Sequence, residues 1–306
     1  MSEASGDASR PLVTIGLVTY RQESFAREAV RSVLAQTYSP LQVVICDDAS
    51  PDATFDILTE EVAAYRGEHD VLLRRNPQNL GIGNFNRVME LADGAFVVIA
   101  HGDDVSFPHR VERMTRIWRR SGVSLVASNA LYSQLETGQE AVLPPETPKW
   151  ATALELAEHG WTEWLFGGAL AWDRKVFDLF GPLDPGKSAV SSDWIIPFRA
   201  ALLGGIAIFG DPLLKVRVHA QSKRERYLGA QDHLVKRESH AANALTQFLY
   251  MLDALDAGVA KGLVPPRPDV RRALVRSILG RAGEWSACRN RLLGQGRRTR
   301  WLPIDA

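Results

Sequence analysis

Residues 96–105 read Phe-Val-Val-Ile-Ala-His-Gly-Asp-Asp-Val, and this stretch decides the fold. The apolar run from Phe96 to Ala100 suits a fully buried strand and is short for a helix. Asp103 and Asp104 follow it, and ligands of open α/β sheets bind at the carboxyl ends of strands. Neighbouring carboxylates repel unless a cation or hydrogen-bond donors lie between them, and hard oxygen ligands suit Mg²⁺ or Mn²⁺. The pair therefore predicts either a divalent-cation site or a turn that caps the next helix.

Strand and helix patterns alternate on both sides of this stretch, from residue 12 to residue 130. Apolar, β-rich runs at Leu12–Thr19 and Leu41–Cys46 alternate with stripes of helical spacing. This alternation predicts an α/β fold with a Rossmann-like, mostly parallel sheet flanked by helices. The ends of three strands would then share one edge, where a nucleotide-type ligand lies. They carry Tyr20 and Arg21, Asp47 and Asp48, and Asp103 and Asp104.

Glycine spacing and composition exclude several other classes of protein. The loop with Gly81 and Gly83 lacks the G-x-G-x-x-G spacing, and no glycine-rich turn follows the first strand. A dinucleotide-binding Rossmann site and a P-loop are therefore excluded. The 36 basic residues balance 36 acidic residues, so net charge gives no reason to expect nucleic-acid binding. Cys46 and Cys288 offer neither a disulfide framework nor metal-ligand spacing.

Between the alternating region and residue 225, we expect a proline-rich loop at 136–150, an aromatic-rich segment with Trp161, Trp164, Phe166 and Trp172, a strand at 206–209 and an extended segment at 216–219. The pattern changes to long helices beyond residue 225. Apolar residues from Leu234 to Leu255 mark one long helix, a second passes through Leu274, and a third includes Trp285. We therefore expect a disordered tail at 1–10, a domain at 11–225 and a helical extension at 226–306. The long helix near 230–256 offers a face for a homodimer.

The charge distribution and hydropathy of the chain indicate where in the cell it would lie. Residues 267–300 hold ten arginines against Asp269 and Glu284. Such a basic stretch suggests an anionic partner surface, although a solvated helix face is the alternative. Residues 1–10 lack the apolar centre of a signal peptide, and no apolar run is long enough to span a bilayer. We expect a cytoplasmic protein that can lie at the inner face of the membrane.

An ordered set of motifs within residues 12–222 resembles the family 2 inverting glycosyltransferases with the GT-A fold. The strand at 13–20 and the helix at 30–38 resemble the opening of that family. Five further elements follow in order: residues 43–52 with Asp47-Asp48, Asn79-Leu80-Gly81 with Asn84, Gly102-Asp103-Asp104, Ser192-Asp193-Trp194 and Arg217-Val218-His219.

The resemblance implies a nucleotide-sugar donor, with UDP or dTDP favoured, and Mg²⁺ or Mn²⁺ as cofactor. It implies that Asp104 ligates the metal, that Asp103 holds the ribose or a metal-bound water, and that His219 lies near the metal or the diphosphate. Asp48 would accept a hydrogen bond from the nucleobase. Other expected donor contacts are Thr19, Tyr20, Glu23, Asn79, Gly81 and Asn84.

The same resemblance implies that Asp193 is the catalytic base, although the family usually has Glu where Ser192 stands. The acceptor would be a glycan or a lipid-linked glycan of a surface polysaccharide, held near Gly168, Ala169 and Trp194. Asp48 and Asp193 also suit helix caps, and His219 suits a core position. His101 suits a role behind the metal ligands rather than among them.

Two rival functions stay open at this point. A sugar nucleotidyltransferase uses a similar sheet, but it needs a glycine- and Arg/Lys-rich phosphate loop after the first strand, and none is present. A non-catalytic glycan- or lipid-binding scaffold could keep the fold without the reaction. The joint presence of Asp48, Asp103, Asp104 and Asp193 argues against such a scaffold.

Overall fold

The computed structural model describes residues 10–142, 149–160, 166–186, 192–219 and 233–294. The expected disordered tail therefore lies outside the described residues except for Arg10, and so does the boundary expected near residue 225. The predicted aromatic segment lies partly outside them too, since Trp161 and Trp164 are not described.

Strands and helices alternate through the first hundred described residues, as the hydrophobic periodicity predicts. In chain order they are β1 (Val13–Thr19), α1 (Ala26–Leu34), β2 (Leu41–Asp47), α2 (Thr54–Ala64), β3 (Asp70–Arg75), α3 (Gly83–Leu91), β4 (Phe96–His101), β5 (Val105–Ser106), α4 (Arg110–Ser121) and β6 (Leu125–Gln134).

The second half adds short strands and longer helices. They are β7 (Glu140–Val142), β8 (Lys149–Ala151), α5 (Ala153–His159), β9 (Leu170–Asp173), α6 (Lys175–Phe180), α7 (Ser192–Leu203), β10 (Ile206–Val218), α8 (His233–Ala260) and α9 (Pro268–Gly294). A 3₁₀ turn at Gly167–Ala169 leads directly into β9.

The ten strands of the described residues form one mixed sheet, with the order β3-β2-β1-β4-β9-β6-β10-β5. β3, β2, β1 and β4 are parallel, and so are β6 and β10. β9 lies between β4 and β6 and is antiparallel to both. β7 pairs with β6, and β8 pairs with β10. The predicted α/β fold with a mostly parallel sheet is confirmed.

Apolar side chains pack on both faces of the sheet, as expected for strands buried on two sides. On one face, α1, α2 and α4 cover Val13, Ile15 and Phe96. On the other, α3 and α5–α9 cover a larger core that includes Trp172 at 1% exposure. Cys46 is fully buried, as expected, and burial raises the pKa of its thiol to about 12.

Three sequence expectations about elements are wrong in detail. The proline-rich stretch at 136–150, expected as one loop, contains β7 and β8. The strand expected at 206–209 and the extended segment at 216–219 join as β10, whose register shifts around Pro212. The two helices expected beyond residue 268 are one helix, α9. Gly280 and Gly283 weaken its pattern, but packing on α5 and α8 continues the helix through them.

Candidate active site

The predicted site residues gather at the carboxyl ends of β1, β2 and β4. These parallel strands lie side by side, with Thr19 opposite Asp47 and Val18 opposite His101. Matched strand ends bring their following loops to one edge of the sheet, where α/β folds bind ligands. The sequence prediction of a shared edge is thereby confirmed.

Asp48 organises one side of this edge. Its side chain is buried and accepts hydrogen bonds from Asn76 Nδ2 at 2.8 Å, from the Leu80 amide at 2.9 Å and from the Gly81 amide at 2.8 Å. Asn84 accepts a bond from the same Asn76 amide at 2.9 Å. Asp48 therefore fixes the predicted glycine loop, and Asn76 is a member of this network that the motif comparison did not identify.

Gly81 lies in the left-handed backbone region, with φ near 56°, and its amide also donates to Asn79 Oδ1 at 2.9 Å. A residue with a Cβ would be strained in this conformation. Asp48, Asn79, Gly81 and Asn84 are thus brought together, as predicted. Whether they also contact a donor stays a prediction.

Thr19, Tyr20 and Glu23 surround the end of β1. Thr19 is buried and donates to Asp47 Oδ1 at 3.1 Å, whereas Tyr20 is 41% exposed. Glu23 accepts a bond from the Ala53 amide at 3.2 Å. Tyr20 and Glu23 are therefore the two of these three residues that are exposed to a ligand at this edge. Asp47 is fully buried at the end of β2.

The acidic pair lies at the end of β4 beside two histidines. His101, Asp103 and Asp104 each present a ligand atom, and these three atoms lie within 4.8 Å of one another. His219 Nε2 lies 3.6 Å from Asp103 Oδ2, and the His219 ring packs on Phe25 with 4.4 Å between centroids. Two carboxylates and an imidazole are a donor set suited to a divalent cation.

The pKa values of the two carboxylates shift in opposite directions. Burial and the charge of Asp103 raise the pKa of Asp104 well above its usual value. Burial also raises the pKa of Asp103, but His219 and His101 outweigh it, so that pKa is lowered overall. A buried carboxylate whose charge is penalised by a second carboxylate beside it is the environment that a bound cation relieves. The residues present therefore fit a divalent metal.

Two buried arginines hold this cluster in place. Arg217 donates from Nε to the Asp103 carbonyl at 2.5 Å and from Nη1 to Glu28 Oε2 at 2.6 Å, and its amide lies 3.3 Å from Asp104 Oδ1. Arg110 is fully buried and donates to Ser106 Oγ at 2.9 Å. The motif comparison gave neither arginine a role.

Asp193, in the first turn of α7, lies against the turn at Gly167–Ala169, which also contacts Asp104 of the acidic pair. A Cβ on Gly167 would overlap the Asp193 carboxylate, and a Cβ on Gly168 would lie 2.9 Å from Asp104 Oδ2. Two consecutive glycines thus touch the expected base on one side and the expected metal ligand on the other. Ser192 Oγ lies 3.2 Å from Asp193 Oδ1, which gives Ser192 a contact with the expected base.

The expected acceptor residues lie in different surroundings. Gly168 and Ala169 are buried in the turn between the two acids. The Trp194 ring packs edge-on against Phe248 of α8, with 5.6 Å between centroids. Trp194 therefore joins α7 to the C-terminal helices, and its contact with an acceptor stays a prediction. Trp172, from the aromatic segment, is a core residue.

Comparison with known proteins identifies the family. Residues 14–180, more than half of the chain, match the sequence profile described as "Glycosyl transferase family 2". The chain belongs to glycosyl transferase family 2. An uncharacterized glycosyltransferase of Nostoc sp. (alr2836) is 27% identical over 229 residues, which cover 72% of this chain and 66% of that protein.

A second relative is also longer than the segment that it shares with this chain. The uncharacterized protein Rv1520 of Mycobacterium tuberculosis is 27% identical over 213 residues, covering 68% of this chain and 59% of that protein. The chain thus spans less than two thirds of the length of these two relatives.

Solved structures confirm the GT-A fold of this family 2 member. The mannosyltransferase PcManGT from Pyrobaculum calidifontis, in complex with GDP-Man and Mn²⁺, aligns with a TM-score of 0.58 at 17% identity, covering 97% of this chain and 78% of that chain. S. aureus TarS 1-349, in complex with UDP-GlcNAc, aligns with a TM-score of 0.54 at 14% identity, covering 94% and 93%.

Proposed function

We propose that this family 2 member is an inverting, divalent-metal-dependent glycosyltransferase that uses a nucleotide-sugar donor. The observation that carries the proposal is the turn at Gly167–Ala169, whose two glycines touch Asp193 and Asp104. A base and a metal ligand on either side of one turn suit a reaction in which an acceptor loses a proton while a diphosphate leaves.

Asp104 would hold the metal, with Asp103 and His219 beside it. A bound divalent ion supplies a positive charge that stabilises the charge developing on the leaving diphosphate. Arg217 holds both acids through their loop, because it contacts the Asp103 carbonyl and the Asp104 carboxylate. The solved PcManGT complex, which contains Mn²⁺, supports a metal at this fold.

Asp193 would take the proton from the acceptor hydroxyl as that oxygen attacks the anomeric carbon. A single attack opposite the leaving group inverts the configuration at that carbon, through an oxocarbenium-like transition state. Gly168, Ala169 and Trp194 would bind the acceptor, which we propose is a glycan or lipid-linked glycan of a surface polysaccharide.

The donor would lie along the ends of β1, β2 and β4. Tyr20 and Thr19 would flank the nucleobase of the donor. Asp48, Glu23 and the Asn79–Asn84 loop would surround the nucleoside. We favour UDP or dTDP as the nucleotide. The TarS complex with UDP-GlcNAc supports a uridine donor, and the PcManGT complex with GDP-Man makes GDP the comparison to include.

The C-terminal segment 226–306 would contact an anionic membrane surface beside the catalytic domain at 11–225. Several arginines of this segment already pair with carboxylates, namely Arg267 with Asp269, Arg271 with Asp256, Arg276 with Glu158 and Arg281 with Glu284. We therefore propose that these paired arginines contribute less to the membrane attraction than the other basic residues of the segment. Among the described residues, no helix is both long and apolar enough to cross a bilayer.

A thermal-shift screen of UDP, dTDP and GDP, each with and without Mn²⁺, tests the donor and the metal together. We expect one nucleotide to raise the melting temperature only when Mn²⁺ is present. A matching nucleotide sugar should then be consumed with release of the nucleoside diphosphate. Equal shifts with and without Mn²⁺ would contradict metal dependence, and incorporation of a sugar 1-phosphate with NTP would favour a nucleotidyltransferase.

A further inference from the structure

We infer that His101 supplies an imidazole nitrogen to the metal and makes the site prefer Mn²⁺ over Mg²⁺. This inference rests on the proposed metal-dependent function and adds a ligand and a metal preference to it. It departs from the sequence expectation, which placed His101 behind the ligands and His219 beside the metal.

The positions of three atoms carry the inference. His101 Nδ1 lies 3.9 Å from Asp104 Oδ2. One ring nitrogen of His101 and one carboxylate oxygen from each of Asp103 and Asp104 lie within 4.8 Å of one another. Ligands about 2.1 Å from one ion lie roughly 3 Å apart when adjacent and roughly 4 Å apart when opposite. One ion can therefore contact His101 and Asp104 together after only small side-chain movements.

The space between these two atoms is kept open by a glycine. A Cβ on Gly168 would lie 3.3 Å from His101 Nδ1 as well as 2.9 Å from Asp104 Oδ2. Any other residue at this position would crowd both donor atoms at once. Glycine at this position therefore leaves room for both the histidine and the carboxylate.

Neighbouring rings hold the imidazole in this orientation. Phe85 and Phe166 both meet the His101 ring edge-on, at centroid distances of 6.2 Å and 5.9 Å. A ring fixed from two sides loses less conformational entropy when it binds an ion. His219 Nε2 lies 3.6 Å from Asp103 Oδ2, and its ring packs on Phe25.

An imidazole nitrogen changes which ions the site prefers. Mg²⁺ takes oxygen ligands almost exclusively, whereas first-row transition ions also accept the neutral imidazole nitrogen. Binding through Nδ1 requires the proton of the neutral ring to lie on Nε2. A site with two carboxylates and one imidazole should therefore bind Mn²⁺ more tightly than one built from the carboxylates alone, with a smaller gain for Mg²⁺.

Pulsed electron paramagnetic resonance of the metal-stripped full chain with MnCl₂ alone tests this directly. Nitrogen bound to Mn²⁺ modulates the spin echo, so wild-type protein should show the signature of a coordinated ¹⁴N. His101→Gln should abolish that signature and weaken Mn²⁺ binding about tenfold, while Mg²⁺ affinity, measured by competition, changes much less. His109→Gln is the matched control, because His109 is exposed and lies eight residues further along the chain.

The possible outcomes separate this inference from the proposed function. A nitrogen signal that survives in His101→Gln and disappears in His219→Gln overturns the assignment to His101, and so does bound Mn²⁺ with no nitrogen signal in the wild type. If His101→Gln does not fold, retention of the signal in His219→Gln supports the assignment and its loss overturns it. Failure of the wild type to bind Mn²⁺, with or without UDP, overturns the proposed metal dependence as well.

Discussion

The buried guanidinium of Arg110 donates a 2.6 Å hydrogen bond to the carbonyl oxygen of Gly168. The same nitrogen lies 2.7 Å from the carbonyl oxygen of Ile99, near the end of β4. Arg110 thus joins the strand that carries the acidic pair to the turn that touches Asp193. We therefore expect this one side chain to influence the separation between the proposed metal ligands and the proposed base.

Arg110→Met should destabilise the fold and weaken metal binding together. The change removes the Arg110 donor from two carbonyl oxygens, which costs about 2 kcal/mol or more. Burial lowers the pKa of Arg110 to about 10, so the side chain is charged at neutral pH and its charge near Asp104 is also lost. Arg110→Lys keeps the charge and should lose less. Denaturant unfolding and Mn²⁺ titration measure both effects, and an unchanged Mn²⁺ affinity in Arg110→Met would contradict this role.

Gly168→Ala should weaken Mn²⁺ binding about tenfold without unfolding the protein, since the new methyl group would press on Asp104 and His101. The matched control is Gly280→Ala in α9, where a Cβ meets no atom within 4 Å. That exposed helix position should gain up to about 1 kcal/mol of stability with no effect on Mn²⁺. Metal titration and thermal unfolding of both variants make the comparison, and equal Mn²⁺ affinities would refute the steric explanation.

Asp193→Asn should lower the rate of transfer by about 100-fold or more while donor binding stays close to that of the wild type. The amide keeps the size of the carboxylate and its contact with Ser192, but it cannot take a proton at neutral pH. Initial rates at saturating donor, together with a calorimetric titration of the nucleotide, separate the two effects. Turnover near the wild-type rate would exclude Asp193 as the base.

Glu61→Gln should cost stability at neutral pH and have no effect in acid. The buried Glu61 carboxylate accepts hydrogen bonds from Arg31 at 2.7 Å and 2.9 Å and also pairs with Arg27. Arg31 first, and then Arg27, lower the pKa of Glu61 against the opposing effect of burial. Because the folded pKa is depressed, this stabilisation is present above about pH 4.3, the unfolded value, and is lost as the pH falls through the folded value.

The expected loss is about 1 kcal/mol at pH 7, since the arginine partners are largely exposed. Urea unfolding of Glu61→Gln and the wild type at pH 7 and below pH 4 measures it. Arg87 and Glu90 form an exposed pair within one helix, so Glu90→Gln serves as a control with a much smaller effect. A difference that persists unchanged in acid would show that charge is not its source.

Much of the fold follows from local patterns. Buried strands such as β4 are uninterrupted apolar runs, and helical spacing marks α1 and α4, so their periods reveal them directly. β9 was harder to predict, because its placement between β4 and β6 depends on pairing between residues far apart in the chain. Gly280 and Gly283 obscured α9 for a different reason, since only packing against other helices offsets their low helix propensity.

Site residues that belong to a sequence motif could be predicted. Those whose role depends on the three-dimensional arrangement of side chains could not. Asp48 and the acidic pair follow strand ends, so their place was visible in the sequence. Arg110 occupies the apolar stripe of α4 with Met114 and Ile117, and a charged residue on such a stripe was the available signal of a buried role. The closeness of His101 to both acids depends on side-chain directions, which sequence spacing does not give.

The C-terminal helices share one continuous core with the helix that carries Asp193. Phe248, Met251 and Leu274 pack with Ile195 and Phe198 of α7 in a single cluster. Replacing this helical pair would therefore also alter the wall behind Asp193, the proposed base. If the basic end binds lipid as we propose, membrane attachment and turnover would depend on the same packed core.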